Sequence, residues 1–299
     1  MKTMDRITLL TKASAGYELL DSGMEEKLER FGEVVLSRPD PQALWEKRLA
    51  TSDWGIANGK YIRDGREGKW ESQTLPKEWE VEFGGLKFLI KPTSFKHTGL
   101  FPEQLSNWQW GSELIKSAGR EISVLNIFGY TGGATLAAAA AGASVTHVDA
   151  SKTAVAWARE NAKLSGLEEK PIRWITEDAL TFLKREIKRG VKYDAVIMDP
   201  PAFGRGPDGE VWKFEENFLE LLKLVQEVLS DKPLFVLVNG YAAGYSPLAF
   251  AYNLESLSKK IGPSTGLGVN GTIEYGDLAI AESNSDRVLP AGIFARWKV

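Results

Sequence analysis

Three aspartates, Asp149, Asp178 and Asp199, each sit at or just beyond the end of a short apolar run. A fourth such run leads into the glycine-rich stretch Phe128-Gly129-Tyr130-Thr131-Gly132-Gly133. An ionised carboxylate only accepts hydrogen bonds, so it suits a hydroxyl pair or an amino group. Glycines let the backbone turn tightly and admit a ligand close to the chain. Asp149 lies 20 positions after Gly129, a spacing suited to the ribose diol of a nucleoside-containing cofactor. Asp199-Pro200-Pro201-Ala202-Phe203 points to a second function. Its prolines lack N–H donors and hold the backbone so that carbonyl oxygens project beside a carboxylate. Such acceptors would hold an amino group or orient a base edge, with Phe203 offering a face for stacking. The plainer alternatives are a rigid loop with Phe203 in the core, and a glycine turn with no ligand.

The elements that must position these residues follow from periodicity and caps. Ser123–Ile127 reads as a buried strand, 134–141 as an alanine-rich helix stopped by Gly142, and 145–148 as a second strand. Ser151 opens a helix over 151–164. A strand over Ile172–Thr176, a helix over Ala179–Arg189, a strand at 193–198, a helix at 214–229 and a strand at 234–239 come next. A helix over 246–261 precedes closing strands at 271–281 and 292–299. The alternation predicts an α/β fold: a doubly wound, mainly parallel seven-stranded sheet ending in an antiparallel pair. Ligands of such sheets bind beyond the carboxyl ends of the strands. The predicted pocket therefore gathers 128–133, Asp149-Ala150-Ser151, Glu177-Asp178-Ala179, 199–204 and Asn239-Gly240-Tyr241.

The amino-terminal region differs in texture. Short strands are expected at 7–11, 17–21, 32–37 and 60–63, with a hairpin over 78–90 turning at Gly84-Gly85 and a short helix at 42–49. This gives a small β-rich domain over 1–94 and a Rossmann-like domain over 95–299, entered by a helix at 103–117.

Composition narrows the function classes. The 299 residues carry a net charge of −3, so a nucleic-acid partner would need a local patch rather than a global basic field. Cysteine is absent and only His97 and His147 represent histidine, which removes thiolate nucleophiles and argues against a metal site. No membrane-spanning run or leader pattern is visible, so the expectation is a cytoplasmic protein with no membrane partner. Six of the ten tryptophans, Trp45, Trp54, Trp70, Trp79, Trp108 and Trp110, precede the glycine turn, mostly as core.

The stretch from Leu125 to Gly133, with Asp149, Asp178 and Asp199–Phe203, resembles the class I S-adenosylmethionine-dependent methyltransferases. Within them it is most similar to the bacterial branch that acts on large-subunit ribosomal RNA, where L-N-x-F-x-Y-T-G-G and D-P-P-x-F recur. The segment from His97 to Gln104 is similar to the T-G-x-x-x-x-Q stretch of that branch. The resemblance implies S-adenosylmethionine as cofactor. Gly129, Thr131 and Gly132 would pack on its methionine portion, with Phe128 and Tyr130 near the sulfonium, since aromatic faces attract cations. Asp149, with Ala150 and Ser151 beside it, would hold the ribose. Asp178 would accept from the adenine amino group, with Ala179 beside the ring. Phe101 and Gln104 would close the pocket, and Asp199 would lie between cofactor and acceptor, with Pro200 and Phe203 completing the catalytic segment. Relatives that methylate pyrimidine carbon use a thiolate; its absence here argues for attack by nitrogen or oxygen, and the likeness of Asp199-Pro200-Pro201 to loops that hold an amino group favours a nitrogen of an RNA base.

Three alternatives stay open: a small-molecule or protein acceptor, a nicotinamide-dependent oxidoreductase, and a cofactor-binding module without turnover. The G-Y-T-G-G spacing departs from the dinucleotide pattern G-x-G-x-x-G. Among other candidates, His147 reads as packed within a strand and His97 precedes the pocket-like loop. Lys184, Arg185, Lys188, Arg189 and Lys192 read as a solvated helix face, and Arg205 as a guanidinium able to reach a phosphate.

Overall fold

The computed structural model describes residues 5–64, 67–72, 74–94, 96–241, 244–260 and 271–299. Residue 95, at the expected domain boundary, and residue 261, at the end of the expected 246–261 helix, lie outside the described residues. The chain starts with β1 (Arg6–Thr11) and continues into β2 (Tyr17–Gly23), β3 (Glu26–Phe31), β4 (Val34–Pro39), β5 (Gly59–Asp64) and β6 (Glu67–Glu71), with the short helix α1 (Thr51–Trp54) before β5. Strands β2 to β6 form a five-stranded sheet in sequence order. The hairpin of β7 (Trp79–Phe83) and β8 (Leu86–Ile90) turns where expected, with Gly84 at φ 61° and Gly85 at φ 77°. That left-handed pair is the turn that matches strand twist.

Two features of this region differ from expectation for identifiable reasons. Strand β3 is not among the expected strands; its Glu29 is fully buried and accepts from the Tyr17 hydroxyl at 2.7 Å and Arg38 Nε at 2.8 Å. The segment 42–49 is not a helix. Its Ala43 and Trp45 carbonyls accept from Glu25 and Met24 N–H, and Asp21 takes the Arg48 and Leu49 N–H groups. With those groups claimed by neighbours, the intrahelical ladder has nothing to close it. The indole N–H groups of Trp45, Trp54, Trp70 and Trp79 donate to Ser22, Asp21, Thr93 and Phe31. Those tryptophans tie loops rather than form a stacking surface.

Helix α2 (Leu105–Ser117) leads into the α/β region: β9 (Ser123–Ile127), α3 (Gly133–Ala140), β10 (Ser144–Asp149), α4 (Lys152–Leu164), β11 (Ile172–Thr176), α5 (Ala179–Arg189), β12 (Ala195–Met198), the small strands β13 (Phe203–Arg205) and β14 (Val211–Lys213), α6 (Phe214–Val228), β15 (Phe235–Gly240), α7 (Pro247–Lys260), β16 (Thr272–Ala281) and β17 (Val288–Lys298). Strands β12, β9, β10 and β11 are parallel neighbours, β15 pairs parallel with β12, and β17 runs antiparallel to β15. The strand alternation sends Leu125, Ile127, Val196, Met198, Val236 and Val238 into a core with Phe182, Phe218 and Phe250. Val124, Val145, Ala195, Ile197, Phe235 and Leu237 enter a separate core with Ile115, Ala138 and Ala139. Helices thus cover both faces, as a doubly wound sheet requires.

The sheet has eight strands rather than seven, in the order β1-β16-β17-β15-β12-β9-β10-β11. The extra member is β1, expected in the small amino-terminal domain. Gly276 admits it: a Cβ there would lie 1.7 Å from the Ile7 carbonyl oxygen, and Arg6 pairs with Asp277 at 2.7 Å. By contacts the chain divides into one unit of 1–9, 106–277 and 292–299 and another of 10–105 and 278–291. This differs from a single cut at 94 because the chain returns twice through its long closing strands. Among the described residues no helix is long and apolar enough to cross a membrane.

Candidate cofactor and acceptor site

Register places the chemistry in one row. Met198 and Val148 both face Ile127, and Val148 faces Ile175, so the next residues, Asp199, Phe128, Asp149 and Thr176, end adjacent strands at one level. Neighbouring strands lie about 4.8 Å apart, so the row spans roughly 14 Å, the scale of a nucleoside and its substituent. Backbone bonds stitch the loops beyond it: Gly129 N donates to Val148 O at 3.0 Å, Glu177 N to Asp149 O at 3.1 Å and Asp199 N to Ile127 O at 3.4 Å.

The glycine turn is held by packing on its inner side. Phe128 and Tyr130 adopt φ 59° and 47°, and Gly132 φ 90°. Left-handed backbone at two non-glycine residues is strained and needs support from its surroundings. A Cβ on Gly129 would sit 2.5 Å from the His147 ring, and one on Gly133 2.3 Å from the Trp108 ring. These glycines therefore serve close packing as well as ligand approach. Below them, Asn126 Nδ2 donates to Thr135 Oγ1 at 2.8 Å, and Thr135 Oγ1 lies 2.9 Å from His147 Nδ1. Asn161 Nδ2 donates to the Thr131 carbonyl at 2.9 Å. His147 is fully buried, its Nε2 has no hydrogen-bond partner among the described residues, and burial pushes its pKa down to about 3. It is a neutral packing group and not an acid–base catalyst at ordinary pH.

Asp149 accepts from Tyr130 N at 2.9 Å through Oδ2 and from Ser151 N at 2.8 Å through Oδ1. Burial raises its pKa, and those two N–H groups pull it partly back. A carboxylate offers about four acceptor positions, so two backbone bonds leave capacity for a diol. Ala150 is half-buried, and exposed Ser151 caps α4 by accepting from Ala154 N at 3.2 Å. Asp178 is buried and caps α5, accepting from Thr181 N at 2.9 Å through Oδ1. That cap uses one carboxylate oxygen, which leaves acceptor capacity on the other, and Ala179 is buried beside it. A rim of carboxylates with flanking aromatic faces suits a neutral or cationic nucleoside and repels a pyrophosphate. This set of acceptors fits an adenosine-bearing sulfonium.

Beyond β12, the Pro201 carbonyl accepts from Trp212 Nε1 at 2.6 Å and the Ala202 carbonyl from Phe214 N at 3.0 Å. The sequence reading had those carbonyls projecting unclaimed. Trp212, buried against Phe128 at 4.9 Å between ring centroids, was missed; its only signal is the alternation over 211–213. Phe203 is 55% exposed, so the core alternative fails for it. Arg205, expected as a guanidinium able to reach a phosphate, lies in the β13–β14 hairpin opposite Val211. Next to β12, Asn239 at the end of β15 accepts from Asn107 Nδ2 at 2.9 Å, and Asn107 Oδ1 from Arg296 at 3.2 Å. Asn107 and Arg296 carry no motif, and sequence reading missed both.

Lys184, Arg185 and Arg189 pair with Glu220, Glu177 and Glu186, and Lys192 donates to the Glu227 carbonyl, as expected for a solvated helix face. Phe101 and Gln104 belong to the other unit, where Gln104 is buried in the turn Pro102–Gln104 and the Phe101 ring meets His97 edge-on at 5.5 Å. Burial, with Arg38, Lys96 and Lys27 nearby, lowers the His97 pKa to about 4.

Residues 48–250 match the family profile described as S-adenosylmethionine-dependent methyltransferase. The chain is 30% identical over 187 residues to ribosomal RNA large subunit methyltransferase I of Aeromonas salmonicida, covering 62% of this chain and 45% of that one. It is also 30% identical over 233 residues to ribosomal RNA large subunit methyltransferase K/L of Shewanella baltica, covering 73% and 31%. The chain thus spans less than half the length of either relative. Among solved structures it is similar to an S-adenosylmethionine-dependent methyltransferase from Agrobacterium tumefaciens, at 39% identity and a TM-score of 0.91 over 98% of this chain and 93% of that one.

Proposed function

The chain belongs to the S-adenosylmethionine-dependent methyltransferases, and from that premise we propose that it methylates a nitrogen of a base in ribosomal RNA, without a cysteine adduct. The observation that carries this reading is the Asp199-Pro200-Pro201 segment at the end of β12, one strand from the glycine turn, with Phe203 exposed just beyond it. The names of the two curated relatives support the substrate class, and the absence of cysteine supports nitrogen over pyrimidine carbon.

Asp149 accepts from the ribose hydroxyls, Asp178 Oδ2 from the adenine amino group, and Phe128 and Tyr130 present aromatic faces to positive sulfur. When bound, the cofactor supplies a methyl group already activated by that sulfur. With the Pro201 carbonyl engaged by Trp212, the acceptors for a substrate amino group are the Asp199 carboxylate and the Pro200 carbonyl. They orient the nitrogen lone pair along the transfer line, and exposed Phe203 offers a stacking face to the RNA beside them. Their contribution is positioning and charge stabilisation rather than covalent chemistry.

A small-molecule or protein acceptor is the competing reading, favoured by the net charge of −3 and the ion-paired cations of α5. Incubation with methyl-labelled cofactor and either cellular RNA or an RNA-free extract separates the two. Label in RNA, lost in Asp199→Ala with cofactor affinity retained, is the expected result. Label confined to protein or small molecules overturns it.

A further inference from the structure

The hairpin that follows the acceptor segment has two faces, and only one has a structural task. Register sets Phe203 opposite Lys213, Gly204 opposite Trp212 and Arg205 opposite Val211. Side chains alternate along a strand, so Phe203, Arg205, Val211 and Lys213 share one face and Trp212 points to the other. Trp212 anchors the hairpin: it is 3% exposed, donates to the Pro201 carbonyl and packs on Phe128. A two-stranded hairpin is marginal alone, so this anchor holds it against the Asp199-Pro200-Pro201 segment. The opposite face is solvent-facing, with Phe203 55% and Val211 48% exposed. Neither side chain contributes to a core there.

Both charged side chains that the paired strands put on that face, Arg205 and Lys213, are cationic. The Arg205 side chain is exposed and makes no hydrogen bond or ion pair among the described residues. The Lys213 ammonium pairs at the surface with Glu216 at 2.8 Å, a contact weak enough to exchange for another anion. The one acid between the two strands that accepts within the tip is Glu210, whose carboxylate takes the Asp208 N–H at 3.0 Å. An aromatic face and an apolar neighbour between two available cations, beside the acceptor segment, match a base with its flanking phosphates.

We propose that this face of the hairpin clamps the single-stranded RNA around the acceptor base, with a base stacked on Phe203 against Val211 and phosphates held by Arg205 and Lys213. The inference rests on the RNA reading and adds the surface that recognises the strand.

The test uses the full chain and a short fluorescein-labelled single-stranded oligoribonucleotide of mixed sequence, with affinity read by anisotropy over a salt series. Phe203→Ala and Phe203→Leu each weaken binding about tenfold, while Phe203→Trp retains it. Arg205→Ala weakens it too and reduces the slope of log affinity against log salt by about 0.7, one phosphate on a single strand. Cofactor affinity and the melting temperature stay unchanged in all four variants, as exposed positions require. If the wild type binds and methylates RNA while these variants bind it equally well with the same slope, the clamp is overturned and the RNA reading stands. If the wild type methylates only protein or small molecules, both are overturned.

Discussion

Replacing Asp149 by alanine tests the cofactor site most directly, because its carboxylate has two separable duties. It accepts the Tyr130 and Ser151 N–H groups, which shape the turn and the start of α4. The Ser151 N–H faces solvent and finds water. The Tyr130 N–H is half-buried, so its loss destabilises the protein by about 1–3 kcal/mol. The ribose contacts add a loss of affinity of similar size, about 1–3 kcal/mol or 5- to 150-fold in Kd. The two effects separate by pH. Burial raises the Asp149 pKa in the folded chain, so its contribution to folding is present below the ordinary aspartate range and is lost as pH rises through the raised value. Donated hydroxyls favour the anion, so cofactor affinity moves the opposite way and falls as pH drops through that value. Calorimetric titration of S-adenosylmethionine across this range should show that decline in the wild type and a flat, weak profile in Asp149→Asn. Wild-type affinity in Asp149→Ala, or wild-type binding independent of pH through the carboxylate range, would refute the ribose assignment.

Other outcomes follow from neighbouring contacts. Gly129→Ala drives a methyl to 2.5 Å from the His147 ring and should destabilise by about 1–3 kcal/mol, partly recovered by adding His147→Ala; urea unfolding of the four combinations checks the coupling. His147 and His97 hold folded pKa values of about 3 and about 4 against 6.5 unfolded. Stability is therefore fully present above pH 6.5 and lost progressively as pH falls toward 3; a shallower loss of urea midpoint in His147→Gln checks this. Trp212→Phe keeps a ring against Phe128 but removes the bond to the Pro201 carbonyl. It should cost about 0.5–1.5 kcal/mol of stability and lower turnover several-fold with cofactor Kd unchanged, measured by labelled-methyl transfer and calorimetry.

Much of the site was legible because its signals are short-range. Ser151 and Asp178 stand where their side chains cap α4 and α5, and the Gly129–Gly133 turn and the helix over Ala179–Arg189 are local patterns of glycine and amphipathic spacing. What failed did so where partners are distant in sequence. Glu29 looks like a surface residue until Tyr17 and Arg38 surround it. The stretch 42–49 has helical composition, but its carbonyls are taken by residues 24 and 25.

The chain's order of residues was enough to settle which carboxylates end strands, that no thiolate exists for an adduct, and that helices alternate with strands. Those properties reside in single positions and short periods, and no distant contact alters them. Strand order was a different matter. That β12, β9, β10 and β11 lie side by side and bring Asp199, Phe128, Asp149 and Asp178 to one rim depends on crossovers that periodicity does not encode. Only the folded chain placed β1 beside Gly276 in the large sheet and turned Trp212 inward against Phe128 so that Phe203 and Arg205 face solvent. Each depends on shape-matching between segments far apart in sequence, and burial of their apolar sides selects one arrangement from the many that local propensities allow.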